Sequence, residues 1–318
     1  MKFNIPEISQ QIYKEDLTKI LEKNYPIIGP LWVTDQMEWL NSVYSSFRNH
    51  DKFLILIYLI KKTLDFYSNN LIRLTYDNFY SKDTIEIAKF NVSEISLNIN
   101  IPKESARRKV LELEKSFAII RSKKKIIIDR SAFPFVKPIK SIKRISRFLS
   151  MFSKILVKEK ILKNKLSSEE LENVIKKNFS LVWKAYYELQ IPMMIGYKEL
   201  FEDLESFHIY GTCLVNQHLH LKKTAETKMS RSEFIESIYS DEETQGINAM
   251  SISDITGIPR ATAVRKLNRL VKQNYLSINS KKHYRLTGAL VKKLVPLQNK
   301  VFIKLGEFSS LIFNLAIL

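Results

Sequence analysis

The chain has 318 residues, a formal net charge of +18 and a hydrophobic content of 45%. That length suffices for two ordinary domains with cores of their own, the lone Cys213 excludes an internal disulfide framework, and no apolar run approaches the ~20 residues a bilayer requires. Nothing near the N-terminus reads as a secretory signal, so a cytoplasmic protein without membrane association is expected.

The first half, residues 1–135, opens on a helical scaffold whose most apolar stretch is Phe53 to Phe66. A compact unit is predicted over about 82–130. Residues 91–130 hold ten Lys or Arg against five acids. Here a short helix with Ile95 facing inward ends at Asn100, a residue type that tolerates the positive φ of a tight turn. Pro102 follows near the first position of a second helix, where a missing N–H is harmless. In that helix Ala106, Val110 and Leu113 recur at i, i+4 and i+7 and form the core face. The opposite face presents Lys103, Ser105, Arg108 and Lys109. Ala118 to Ser122 and Ile126 to Asp129 then read as two strands around Lys123, Lys124 and Lys125, a hairpin with a basic tip.

Pro134 and Pro138 mark a linker, and residues 136–165 read as a basic linker helix. Within 137–165 ten Lys or Arg face Glu159 alone. Such a run either follows a phosphate backbone or is an exposed connection.

The second half, 166–318, begins with an apolar helical region, Leu181 to Leu221. Trp183, Tyr186, Tyr187, Met193 and Met194 are expected as core, with an effector pocket as the alternative. His208, Cys213, His218 and His220 do not converge on one helix face, and a structural role is expected instead of a metal site. A second unit is predicted over about 245–290. Ile252 faces inward, Gly257 makes the turn, and Pro259 opens a helix whose core face is Ala263, Leu267 and Leu270. Its outer face is Arg260, Thr262, Arg265 and Lys266, and the strands Tyr275 to Ile278 and His283 to Leu286 flank Asn279 to Lys282. Residues 248–293 carry ten Lys or Arg against Asp254 alone. Val301 to Leu318 is an apolar C-terminal helix, expected to pack on the scaffold or on a second chain as a homodimer contact.

The two units form an internal repeat. Asn91 to Lys125 aligns without a gap to Asn248 to Lys282, with twelve of 35 positions identical, where chance gives about two. The run Gly257-Ile258-Pro259-Arg260-Ala261-Thr262, with Arg265-Lys266-Leu267 and Leu270, resembles the winged helix-turn-helix of MarR-like and IclR-like regulators. It covers about 45 residues per copy, and the first copy departs from it at Asn100, Glu104, Glu112 and Glu114. The expected fold is therefore mainly α, two winged helix-turn-helix units joined and framed by long helices.

The resemblance implies double-stranded DNA as partner and transcription regulation as function. A replication initiator, or an interaction module without base readout, is the alternative. Base contact falls to Arg260, Thr262 and Arg265, with Lys103, Ser105 and Arg108 as counterparts. Phosphate contact falls to Lys266, Arg269, Lys281, Lys282 and Arg285, and to Lys109, Lys123, Lys124 and Lys125. The seven glycines form neither a phosphate loop nor a dinucleotide fingerprint, and no GxSxG or HExxH occurs, so neither catalysis nor a cofactor is expected.

Overall fold

A computed structural model describes residues 10–81, 84–88, 91–122, 125–129, 137–221, 229–240 and 246–317. The first half runs through helices α1 (Lys14–Lys23), α2 (Tyr25–Phe47), α3 (His50–Asn69) and the short α4 (Tyr76–Phe79). Strand β1 (Thr84–Ala88), helices α5 (Val92–Asn98) and α6 (Lys103–Lys115), strands β2 (Ile119–Ser122) and β3 (Lys125–Asp129), and helix α7 (Ile139–Lys158) complete it. The second half follows with α8 (Ser168–Lys177), α9 (Phe179–Phe201), α10 (Leu204–Leu221), α11 (Arg231–Ser240), β4 (Ile247–Asn248), α12 (Ala249–Thr256) and α13 (Arg260–Lys272). It ends with β5 (Leu276–Ile278), β6 (His283–Leu286) and α14 (Val291–Ile317). The protein is mainly helical, with two antiparallel three-stranded sheets of order β1-β3-β2 and β4-β6-β5.

The likeness between halves extends well beyond the aligned 35 residues. Helices α1 and α8 have ten residues each, and α2 and α9 have 23 each. Asn24 and Asn178 stand at the corresponding junctions, and each side-chain amide donates to a carbonyl four residues earlier, Ile20 O at 3.0 Å and Val174 O at 3.1 Å. Arg48 and Glu202, at φ of 52° and 67°, end α2 and α9 in the left-handed conformation, which turns the chain sharply into the next helix.

Packing between the halves is reciprocal. Helix α3 packs on α9 while α10 packs on α2, and α1 packs on α14 while α8 packs on α7. Within each half, α2 meets α7 as α9 meets α14, and α3 meets α6 as α10 meets α13. Element i touching j of the other half, with j touching i in return, is the pattern of an isologous pair.

One segment settles differently from expectation, and a second takes one of its two expected alternatives. The basic stretch expected as a linker helix is α7, and it is neither free nor uniformly basic. Ile142, Ile145, Phe148, Leu149, Phe152 and Leu156 are buried against neighbouring helices, and of its cations Lys140, Lys143, Arg147, Lys154 and Lys158 face out, with Ile139 and Met151 exposed among them. The C-terminal helix packs along α1, α8 and α9, burying Phe302, Leu305, Phe308, Ile312 and Phe313 within its own chain. The apolar surface considered for a homodimer is thus covered internally.

Where α2 meets α7, Asp35 Oδ1 lies 3.3 Å from Arg144 Nε, with both side chains about 95% buried. Burial raises the Asp35 pKa to about 6 against the opposing pull of Arg144. The native state therefore holds this proton over a range where the unfolded chain, with an ordinary value of 3.8, has released it. By linkage, this group's contribution to stability falls as pH rises from about 4 to about 6. Urea melts of Asp35→Asn across that range are expected to lose this downward trend relative to the parent. Parallel pH profiles for the two proteins would contradict it.

Candidate nucleic-acid interface

Each half presents the same local arrangement of strand, short helix, turn, longer helix and hairpin. The short helices are capped by Asn91 and Asn248, whose side chains accept from Ser93 N and Ser251 N. The turns are braced identically, Ser96 Oγ donating to Ile101 O at 2.6 Å and Ser253 Oγ to Ile258 O at 2.7 Å. Asn100 and Gly257 take φ of 50° and 69°, as the turn was expected to require. Pro102 and Pro259 stand immediately before the first helical position as N-caps, at φ of −52° and −51°, with their carbonyls accepting from Ala106 N and Ala263 N. The core faces are as read from spacing, with Ile95, Ala106, Val110 and Leu113, and Ile252, Ala263, Leu267 and Leu270, all buried.

The third strand of each sheet was not expected. Strand β1 pairs along β3 from Thr84↔Asp129 to Ala88↔Lys125, and β4 pairs with β6 at Ile247↔Tyr284 and Asn248↔His283. It anchors the hairpin to the start of the short helix. The predicted hairpin strands themselves lie within a residue of β2, β3, β5 and β6.

Of the predicted contact residues in the second unit, Arg265 is exposed on the outer face of α13, Arg260 is exposed at its N-terminus, and Thr262 is half-buried. Neither arginine has an acidic partner among the described residues. Asn268 and Lys272 are exposed on the same face, three and seven residues beyond Arg265. Helical spacing alone could have identified them. In the β5–β6 turn Asn279 Oδ1 accepts from Lys281 N and His283 N at 3.0 and 2.9 Å, fixing a tip where Lys281 and Lys282 are exposed. Arg285 is half-buried on β6.

In the first unit Lys103 and Arg108 are exposed and Ser105 is half-buried. Carboxylates stand close by. Arg107 Nε lies 2.9 Å from Glu104, Arg108 Nε 3.9 Å from Glu112, Arg121 Nε 2.6 Å from Glu114 and Lys125 Nζ 2.5 Å from Glu86. Lys123 and Lys124 lie outside the described residues.

Three predicted phosphate contacts are corrected. Lys109 and Lys266 do not face out but are 8% and 9% exposed. Lys266 Nζ lies 2.5 Å from Asp203 Oδ2, and Lys109 Nζ lies 3.5 Å from Asp51 Oδ2. Arg269 also bonds to Asp203 at 2.6 Å, to Glu202 at 2.9 Å, to Phe201 O at 3.0 Å and to Ser206 Oγ. These cations clamp each longer helix onto the scaffold. Burial works to raise the Asp203 pKa, but the hydrogen bonds from Lys266, Ser206 N–H and Arg269 outweigh it and hold the value below the ordinary carboxylate range. The anchoring carboxylates are some 60 residues away in sequence, so nothing in the local helix pattern marked these cations as inward.

Each turn is also tied to the opposite half. Asn100 Nδ2 donates to Glu199 Oε1 at 2.6 Å, and Arg48 Nη1 donates to the carbonyl of Gly257 at 3.2 Å. Lys198 of α9 adds an ion pair to Asp51 at 3.1 Å. The units are thus positioned jointly by both halves.

Trp183, Tyr186 and Tyr187 line a cavity of about 350 Å³ bounded by α2, α3, α9 and the start of α7; Met193 and Met194 are core. Its wall runs into Lys137 and Pro138, next to residues outside the described set. His208 Nε2 lies 2.7 Å from Asn41 Oδ1, and burial lowers the His218 pKa to about 3 and raises that of Cys213 to about 12. The His220 side chain lies outside the description, and among the described residues no three potential ligands form a metal-binding group. No described helix is long and apolar enough to cross a membrane.

No family model, curated protein or solved structure matches the chain.

Proposed function

We propose that the protein binds double-stranded DNA in a sequence-dependent manner and acts as a regulator of transcription, its two units being winged helix-turn-helix modules produced by internal duplication. Helix α13 enters the major groove with Arg260, Arg265 and Asn268 toward the bases, a geometry open to α-helices and to the bidentate pairing of Arg with guanine and Asn with adenine. Lys281 and Lys282 at the hairpin tip hold phosphates, which fixes register without reading sequence. The reciprocal packing supports one chain engaging two half-sites, as a dimer does in most proteins of this type.

The observation that carries the reading is a division of labour among cations. Lys266 and Arg269 are neutralised against Asp203, whereas Arg260, Arg265, Lys281 and Lys282, at the outer face and tip, have no acid among the described residues. A solvated face of no function is ordinarily laced with both signs.

The test is titration of a labelled duplex of about 30 base pairs with the full chain at stepped salt. Association at ~50 mM salt is expected, with log K falling linearly in log salt at a slope that counts the phosphates neutralised. Absence of association at the lowest salt would exclude the reading.

A further inference from the structure

Resting on that DNA-binding reading, we infer that the two units are unequal readers and that the preferred target is an asymmetric sequence, strongly specified under α13 and weakly under α6.

The scaffold is matched in both halves, so the difference lies in the exposed faces. The buried anchors Lys109 and Lys266 correspond, as do the braced turns and the core faces. On the outer side, exposed except for the half-buried Val264 and Leu111, α13 has Arg260, Ala261, Val264, Arg265 and Asn268, where α6 has Lys103, Glu104, Arg107, Arg108 and Leu111. Helix α6 holds three carboxylates and α13 none, while each holds five cations.

These exchanges act in one direction. Lys103 is a point charge where Arg260 offers a planar fork able to make paired bonds to one guanine. Glu104, its side chain 76% exposed in the first turn of α6, places a negative charge on the end that meets the bases. It repels phosphates and accepts only from an amino group such as that of cytosine. Arg107 is held by Glu104, and Arg108 lies beside Glu112, which also draws Lys52 at 3.5 Å. Exposed pairs of this kind are individually weak, so α6 still associates with DNA. Each of its arginines, however, must leave a carboxylate before it reads a base, whereas Arg265 leaves none. Leu111 also offers no donor where Asn268 offers an amide.

A dimer of identical chains presents two equal heads and selects an inverted repeat. Two heads in one polypeptide are under no such constraint. The structure thus joins a symmetric frame to two divergent faces.

The experiment is selection of bound duplexes from a randomised pool of about 30 base pairs by the full chain. A non-palindromic consensus is expected, with most sequence preference in one half. Arg265→Ala should erase preference in that half, Arg108→Ala should change the consensus little, and Glu104→Ala should raise affinity for the selected duplex several-fold. A consensus of two equivalent inverted halves, or equal effects of Arg265→Ala and Arg108→Ala, would overturn the inference and leave DNA binding standing. Failure to enrich any sequence while the duplexes still bind would remove base readout. Failure to bind at all would remove both. All three substitutions are at exposed sites, and unchanged thermal melting separates their effects from misfolding.

Discussion

Asp203→Ala is expected to lower the free energy of unfolding by about 3–5 kcal/mol. The carboxylate accepts from Lys266 at 2.5 Å, from Arg269 at 2.6 Å and, through its other oxygen, from Ser206 N at 2.8 Å at the start of α10. Removing it leaves two cations facing each other with Lys266 almost wholly out of water, and an uncompensated buried charge is far costlier than the pair was favourable. Asp203→Asn keeps a cap for α10 and is expected to fall between the parent and the alanine variant. Asp203 titrates below its ordinary value in the folded state, so its contribution is present above the ordinary carboxylate range. It is lost as pH falls through the folded-state value. Asp51→Ala removes longer contacts, 3.5 Å to Lys109 and 3.1 Å to Lys198, and should be milder. Urea denaturation at neutral pH checks both. A loss under about 1 kcal/mol at Asp203 would show that the second unit is held by its apolar face alone.

Arg265→Ala should leave stability within about 0.5 kcal/mol of the parent, because the side chain is exposed and has no described acidic partner. Its expected effect is on the proposed DNA binding. On a preferred duplex it is expected to remove about 1–3 kcal/mol of binding, roughly 5- to 150-fold in affinity, and to relax base choice at the contacted position. Lys282→Ala serves as the contrast, weakening all sequences alike and reducing the salt slope by about one. Anisotropy titrations on preferred and scrambled duplexes at two salt concentrations distinguish the cases. Equal losses on both duplexes for Arg265→Ala would place that arginine on the phosphates and leave the bases unread.

Much of each unit could be read in the sequence because its determinants are local. The positive-φ turn, the prolines and the i, i+4, i+7 core stripe lie within 20 residues of one another, and all were located to within a residue. Strand β1 does alternate, with Ile85 and Ile87 buried between exposed Thr84 and Glu86, and could have been read, whereas β4 is only two residues long and pairs with β6 some 36 residues later. Alternation cannot be read in so short a segment. The buried lysines escaped for the opposite reason. Lys109 and Lys266 occupy the outer edge of a well-formed amphipathic pattern, and only a carboxylate delivered from the scaffold makes burial tolerable there. The wider likeness between halves was hidden as well. Helices α2 and α9 share their length and junctions, yet their side chains have diverged, and the match survives in backbone signals such as Arg48 and Glu202, both at positive φ.

The exchange of helices between halves, α14 onto α1 and α7 onto α8, bears on mass action. Two separate subunits drift apart when diluted below their dissociation constant, and the number of assembled pairs then falls with the square of concentration. Here the partner is supplied at a fixed, high effective concentration by the same polypeptide. A single molecule in a cell therefore keeps its pair intact, and occupancy of a target would scale linearly with copy number down to the last chain.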